Sequence, residues 1–186
     1  MRRSLLLKEY MIISRGGQGG VTASRLLATA AVLEGKYAQA IPEFGAERRG
    51  AIVRSYLRIS TEPIKRHSAV KNPEGIAIFS SKILELIDIT RYAPKGSILV
   101  VNSPSPPKLE GYRVYYLDAT SIAIKLGLVI AGWPVVNTAM AAAMARVFNI
   151  SSLDSLLKAM EEYFHGRLLK VNQEAAQKAW NIVSEG

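Results

Sequence analysis

The chain contains no cysteine at all. That excludes disulfides, a thiolate zinc site, a cysteine nucleophile and a cysteine-ligated iron–sulfur cluster within it. Histidine is nearly absent too: His67 and His165 stand far apart, so no metal site is expected. Long apolar runs are missing, and no uninterrupted stretch reaches the ~20 residues that span a bilayer. At the N-terminus, Lys8 and Glu9 cut Leu5-Leu6-Leu7 too short for a signal-peptide core, and no small-residue cleavage pattern follows. The expectations are therefore no membrane contact and a cytoplasmic location. Acidic residues are scarce, with 15 Asp and Glu against 24 Lys and Arg, for a net charge of +9. The imbalance is local: residues 1–70 carry 12 Lys and Arg against 5 Asp and Glu, and residues 71–186 carry 12 against 10. Such an excess suits an anionic ligand or an acidic partner for the N-terminal half, or simply a solubilising surface.

What the chain does have is 186 residues, 49% of them hydrophobic. That supports one substantial core and predicts a single domain over residues 1–186. Apolar runs and helical patterns alternate, which predicts an α/β fold: a three-layer, Rossmann-like domain with a mixed β-sheet between helices and a helical C-terminal third. Strands are expected at 10–14, 37–41, 51–59, 75–80, 97–102 and 112–117, with a short edge element at Pro63-Ile64-Lys65. Helices are expected at 21–33, 82–92 and from Asp118 or Thr120 to about Leu126. Trp133-Pro134 is expected to initiate a small-residue helix over 136–148. Ser151 and Asp154 are expected to open a helix over 153–164, and a last helix covers about 171–183.

The chemistry concentrates near the N-terminus. Between the first strand and the first helix lies Arg15-Gly16-Gly17-Gln18-Gly19-Gly20, with four glycines in six residues. A strand, a glycine-rich turn and a helix can aim backbone N–H groups and the helix dipole at an anion. The turn does not match a dinucleotide fingerprint, because Thr22 stands where the third glycine belongs and no acid ends the next strand. Nor does it carry the Gly-Lys-Ser/Thr of a Walker loop. A phosphate or carboxylate at Gly16, Gly17, Gln18, Gly19 and Gly20 fits; so does a tight turn that binds nothing. Replacing Gly17 or Gly19 by Val is expected to do more damage than Gln18→Ala. The second feature is Glu47-Arg48-Arg49-Gly50, where Arg48 and Arg49 offer planar forks for a phosphate, a carboxylate or an acidic partner.

Taken together, Gly16 to Gly19, Lys36 to Ala40, Phe44 to Gly50, Val53-Arg54 and Arg58 to Ser60 resemble successive motifs of one family. Val136 to Met140 and Lys170 to Asn172 are similar to its later ones. That family is the gamma subunit of the 2-oxoacid:ferredoxin oxidoreductases, in the pyruvate and 2-oxoisovalerate branch. Gly20 and Ala46 depart from it, where the family often carries an apolar residue and proline. The resemblance implies an oxidoreductase complex that decarboxylates a 2-oxoacid, most simply pyruvate, with thiamine diphosphate, Mg, iron–sulfur clusters and coenzyme A. It implies alpha, beta and delta subunits as partners and ferredoxin as electron acceptor. In that division of labour this chain binds neither the clusters nor thiamine diphosphate and carries no catalytic residue. It would help complete the assembly and form coenzyme A's approach, with the glycine turn, Arg48 and Arg49 as its binding residues. The nearly uncharged segment from Leu126 to Ala145 is expected to meet other subunits in part. A free-standing anion- or nucleic-acid-binding module is the rival reading. It has the charge but not the basic and aromatic stripe, so no nucleic-acid partner is expected.

Overall fold

The computed structural model describes residues 7–43, 50–66 and 68–186. Its frame is a seven-stranded mixed sheet. The strands are β1 (Lys8–Arg15), β2 (Tyr37–Pro42), β3 (Ile52–Ser60), β4 (Gly75–Ile78), β5 (Ile98–Asn102), β6 (Arg113–Leu117) and, at the far C-terminus, β9 (Ser184–Glu185). Their order across the sheet is β2-β3-β1-β4-β5-β6-β9. β1, β4, β5 and β6 run parallel, while β2, β3 and β9 pair antiparallel at the two flanks.

The central strands are apolar on both faces because both faces are covered. Successive residues point to opposite sides. Tyr10, Ile12, Ala77, Phe79 and Val100 pack with α1 (Gly20–Leu33), α2 (Ala119–Lys125), α3 (Asn137–Val147), α4 (Leu153–Ala159) and α5 (Gly166–Ile182). Met11, Ile13, Ile76, Ile78, Leu99 and Val101 face the other way, onto Ile83, Ile89 and Ala93. α3 lies at the centre of the helical layer. Residues 137–145 are all buried, and five of the nine are alanines that let α1 and α5 approach closely.

Several expected elements take a different form. The helix at 82–92 is instead two 3-10 turns, Ser81–Glu85 and Ile89–Arg91. Asp88 interrupts it: its carboxylate accepts from the Thr90 N–H at 3.0 Å and starts a new turn among β-branched residues that resist a continuous helix. Pro63-Ile64-Lys65 forms no strand, since β3 already has a neighbour on each side. Trp133-Pro134 does not open α3. It is strand β8 of a small hairpin with β7 (Val129–Ile130). Ala131 and Gly132 at the turn both have positive φ, 48° and 82°, as a tight two-residue hairpin turn requires. The cap of α4 is Ser152, not Ser151; its hydroxyl accepts from the Ser155 N–H at 3.2 Å. After Ala159 α4 tightens into a 3-10 turn, Met160–Glu162, and α5 starts at Gly166 rather than near Val171. The apolar segment 126–145 is largely internal, because α3 is the core of the helical layer. Gly127 and the hairpin, with Ile130 68% exposed, are the parts of it that reach the surface. Among the described residues no helix is long and apolar enough to cross a membrane.

Two glycines make close packing possible. At Gly75 of β4 an added Cβ would overlap the Phe148 ring, which stacks on Tyr10 with centroids 4.9 Å apart. At Gly20, the first residue of α1, it would meet the Ser14 hydroxyl and come within 3.3 Å of Ile12 Cγ2.

Candidate functional site

The carboxyl end of β1 turns into α1 through Gly16 to Gly20, and this turn forms one wall of a cleft of about 750 Å³. Gly17 and Gly19 adopt positive φ, 97° and 81°, which β-carbon-bearing residues rarely tolerate. A Cβ at Gly17 would face open space, whereas one at Gly19 would lie 2.8 Å from Asn137 Cβ. Gly16 extends the β1–β3 ladder, with its N–H donating to Ala51 O at 2.8 Å and the Gly50 N–H donating to Gly16 O at 3.3 Å. Gln18 turns inward and is 8% exposed. Its Oε1 accepts from the Arg15 N–H at 2.8 Å and its Nε2 donates to Phe79 O at 3.2 Å. Phe79 O also accepts from Asn102 Nδ2 at 2.9 Å, so the glycine turn is tied to the ends of β4 and β5. Of the five turn residues, Gln18 is thus a strut with both ends of its amide engaged, and the glycines supply the cleft surface.

The first internal bond of α1 is Ala23 N–H to Gly19 O at 2.9 Å. The N–H groups of Gly20, Val21 and Thr22 therefore begin the helix without an intrahelical acceptor. No side chain caps this end and no acid lies in the first turn. Thr22 and Arg25 on α1 and Arg15 on β1 complete that wall. The opposite wall is the hairpin, with Ile130, Ala131 and Trp133, and then Val135 and Asn137 at the start of α3. The lining includes Arg15 and Arg25 and no carboxylate among the described residues. Backbone donors, a helix dipole and two guanidinium groups suit an anion, and the indole beside them offers a flat apolar face.

Arg48 and Arg49 lie outside the described residues, as do all of 44–49. What borders that segment is well ordered by hydrogen bonds. Glu43 follows β2, and its N–H donates to Arg54 O at 3.1 Å. Its carboxylate accepts a fork from Arg54, Nε at 2.9 Å and Nη2 at 2.5 Å, and a third bond from the Tyr56 hydroxyl at 2.7 Å. Burial would raise the pKa of Glu43, but these bonds outweigh it and hold the group below the usual carboxylate range. The Tyr56 phenol, partly buried and donating to that carboxylate, is pushed up to about 12. Both Glu43 oxygens are therefore engaged by β3. Further along β3, Arg58 is 1% exposed, although the alternation of the strand puts it on the polar side with Arg54 and Tyr56. It donates to Glu9 at 2.7 Å and to the carbonyls of Arg66 and Ser68, which ties down the segment after β3.

Asn137 belongs to a motif that the sequence singles out but was not assigned to a site. The signal for it was the motif itself, and only the fold brings it against Gly19. Trp133 and Arg25 were likewise unassigned, and local sequence holds no cue for their joining the cleft.

Residues 9–182 match the family model described as pyruvate ferredoxin/flavodoxin oxidoreductase. The chain is 39% identical over 172 residues to pyruvate synthase subunit PorC of Methanothermobacter marburgensis, covering 92% of this chain and 95% of that one. It is 37% identical over 180 residues to the common gamma subunit of the pyruvate/ketoisovalerate oxidoreductases of Thermococcus kodakarensis, covering 93% and 95%. The crystal structure of pyruvate oxidoreductase subunit PORC from Thermotoga maritima superposes with a TM-score of 0.80 at 29% identity, over 97% of this chain and 98% of that one. The chain belongs to the pyruvate ferredoxin/flavodoxin oxidoreductase family, as a gamma-type subunit of a multi-subunit 2-oxoacid oxidoreductase.

Proposed function

We propose that the 2-oxoacid of this complex is pyruvate, and that the chain completes the assembly and forms part of coenzyme A's approach to the active site. The observation that carries the reading is the cleft at the glycine turn, which combines unbonded N–H groups, Arg15 and Arg25 with no carboxylate among its described lining. Coenzyme A carries several phosphate charges on a long, thin ligand, and such a cleft complements that chemistry. Arg48 and Arg49 add two cations to a segment bordered by Gly50, whose N–H donates to Gly16 of the turn. In this reading the alpha, beta and delta partners hold thiamine diphosphate with Mg and the iron–sulfur clusters, and electrons leave to ferredoxin. Those groups supply the decarboxylation and the electron transfer, and coenzyme A accepts the acyl group. This chain supplies donors and shape.

A second reading is supported by the Thermococcus relative, whose name describes a gamma subunit common to pyruvate and ketoisovalerate oxidoreductases. On that reading one chain of this type serves two complexes, and the choice of 2-oxoacid lies on the partners.

The test uses Arg48→Ala and Arg49→Ala in the assembled enzyme. Charge-assisted hydrogen bonds contribute about 1.5–3 kcal/mol each, so the apparent KM for coenzyme A is expected to rise about 10- to 100-fold. The KM for pyruvate is expected to change far less. A coenzyme A KM that stays at the wild-type value, in complexes that assemble, would end this role for the pair.

A further inference from the structure

The sheet ends on one side in β9, only two residues long, and on the other in β2, which runs for six. β2 pairs along its whole length with β3, and among the described residues no strand lies beyond it. The register fixes which of its backbone groups look outward. Glu43 prolongs the ladder, and its N–H donates to Arg54 O at 3.1 Å. Alternate residues of an antiparallel strand bond to the same neighbour, so Tyr37, Gln39 and Ile41 bond to β3. The N–H and C=O groups of Ala38 and Ala40 therefore point away from the sheet. Pro42 shares their orientation and has no N–H to present. No turn or loop among the described residues bonds to the N–H of Ala38 or Ala40.

Such edges are normally blunted by charge, by a bulge or by a covering segment. Tyr37-Ala38-Gln39-Ala40-Ile41-Pro42 carries no charge, and its register with β3 is unbroken. Tyr37 is 46% exposed, and the other five residues are half-buried.

We propose that β2 pairs with β2 of a second copy of this chain, antiparallel about a two-fold axis, so that two sheets become one. Such an axis stands perpendicular to the sheet and keeps every residue on its own face, which limits the registers. With the axis beside Gln39, Ala38 of each copy faces Ala40 of the other. The two exchange N–H···O bonds, four in all, and these use every outward N–H of both strands. On one face Gln39 then meets Gln39. Tyr37 meets Ile41 on either side of them, and aromatic and β-branched residues make favourable cross-strand pairs. No like charges are opposed. Moving the axis to Ala40 is worse on both counts. It sets Ala38 opposite Pro42, which has no donor, and Tyr37 opposite Glu43, whose oxygens Arg54 and Tyr56 already hold. The strand is thus complementary to itself in one register. A six-residue strand pair alone does not reach the ~1,000 Å² of a stable interface. The association is therefore weak in the isolated chain and stronger wherever partner subunits hold two copies together.

A chain without cysteine makes the register directly testable. Gln39→Cys places one thiol on each side of the axis, in a pair with Cα atoms about 4.5 Å apart, within disulfide reach. In Tyr37→Cys or Ile41→Cys the two like thiols stand four residues out of step, about 13 Å apart and beyond that reach. Tyr37→Cys and Ile41→Cys face each other only when the two proteins are mixed. Under mild oxidation of the full chain, Gln39→Cys is expected to form a covalent dimer, and the other two only as a mixture. Ala40→Pro removes two of the four bonds without touching the β3 ladder. Added to Gln39→Cys, it is expected to slow crosslinking about 10- to 100-fold. Sedimentation of the wild type at rising concentration is expected to show a reversible monomer–dimer equilibrium that Ala40→Pro shifts to monomer. Failure of Gln39→Cys to crosslink, equal crosslinking of all three single variants, or indifference to Ala40→Pro would overturn the pairing. So would a disulfide, in the assembled oxidoreductase, from Gln39→Cys to an alpha, beta or delta chain in place of one between copies.

Discussion

Gly17 and Gly19 share a backbone conformation but not surroundings, and that contrast yields a quantitative expectation. In both Gly17→Ala and Gly19→Ala, the alanine must hold a left-handed conformation, at φ 97° or 81°. The conformational cost is about 1–2 kcal/mol for either variant. At Gly17 nothing lies within 4 Å of the added methyl, so the conformational term is the whole effect. At Gly19 the methyl would sit 2.8 Å from Asn137 Cβ and 2.9 Å from Nδ2. Asn137 is the first residue of a helix buried over residues 137–145, so the neighbour cannot swing aside, and overpacking adds roughly 1–3 kcal/mol. Each kcal/mol shifts the melting temperature by about 2–4 °C for a chain of this size. Gly19→Ala is thus expected to melt about 2–12 °C below Gly17→Ala. Adding Asn137→Ala to Gly19→Ala is expected to restore part of the loss, through a coupling of about 0.5–3 kcal/mol. Calorimetric melting of five proteins measures this: the wild type, Gly17→Ala, Gly19→Ala, Asn137→Ala and the double variant Gly19→Ala with Asn137→Ala. Equal melting of the two single variants, or strict additivity in the double variant, would refute the contact as the cause.

Further expectations follow from other parts of the fold. Gln18→Ala is expected to cost about 1–3 kcal/mol by chemical denaturation, because the Arg15 N–H loses its acceptor in a half-buried place; this narrows the contrast with the glycines that the sequence alone suggests. Burial alone would raise the pKa of Glu34, but bonds from the Ser152 N–H, from Lys36 Nζ and from the Ser152 and Ser155 hydroxyls bring it from 4.5 down to about 2. Its contribution to stability is therefore complete above about pH 4.5 and is lost as pH falls toward 2, so the gap between wild type and Glu34→Gln should close over that window; a constant gap would contradict this linkage. Gly75→Ala should be strongly destabilising, and Phe148→Leu should relieve it in a double variant, because the ring occupies the space the new methyl needs.

Much of the frame was legible because its signals are local. The continuous apolar runs of β1, β4 and β5 mark strands covered on both faces, and the glycine turn between β1 and α1 stands out by composition alone. What was not legible depends on contacts distant in sequence. Ala131-Gly132 lacks the asparagine or aspartate that usually signals a tight hairpin turn, so Trp133-Pro134 looked like the start of a helix. The 82–92 stretch has helical spacing, yet one carboxylate at Asp88 divides it. Arg58 shares a strand face with Arg54 and Tyr56 yet is buried, because Glu9 stands opposite it in register and two loop carbonyls close over it. The same holds at the site. The glycine wall was readable, whereas the facing wall of Trp133 and Asn137 lies more than a hundred residues away and is placed only by α3 packing against α1.

The most direct test of the account is reconstitution. The chain is to be co-expressed with alpha, beta and delta partners of the family, and the purified complex assayed for pyruvate-dependent reduction of ferredoxin with and without coenzyme A, beside partners prepared without this chain. The account predicts that the chain co-purifies with its partners and that pyruvate turnover needs both the chain and coenzyme A. A chain that stays separate, or a complex whose pyruvate and coenzyme A dependence is the same without it, would contradict the account.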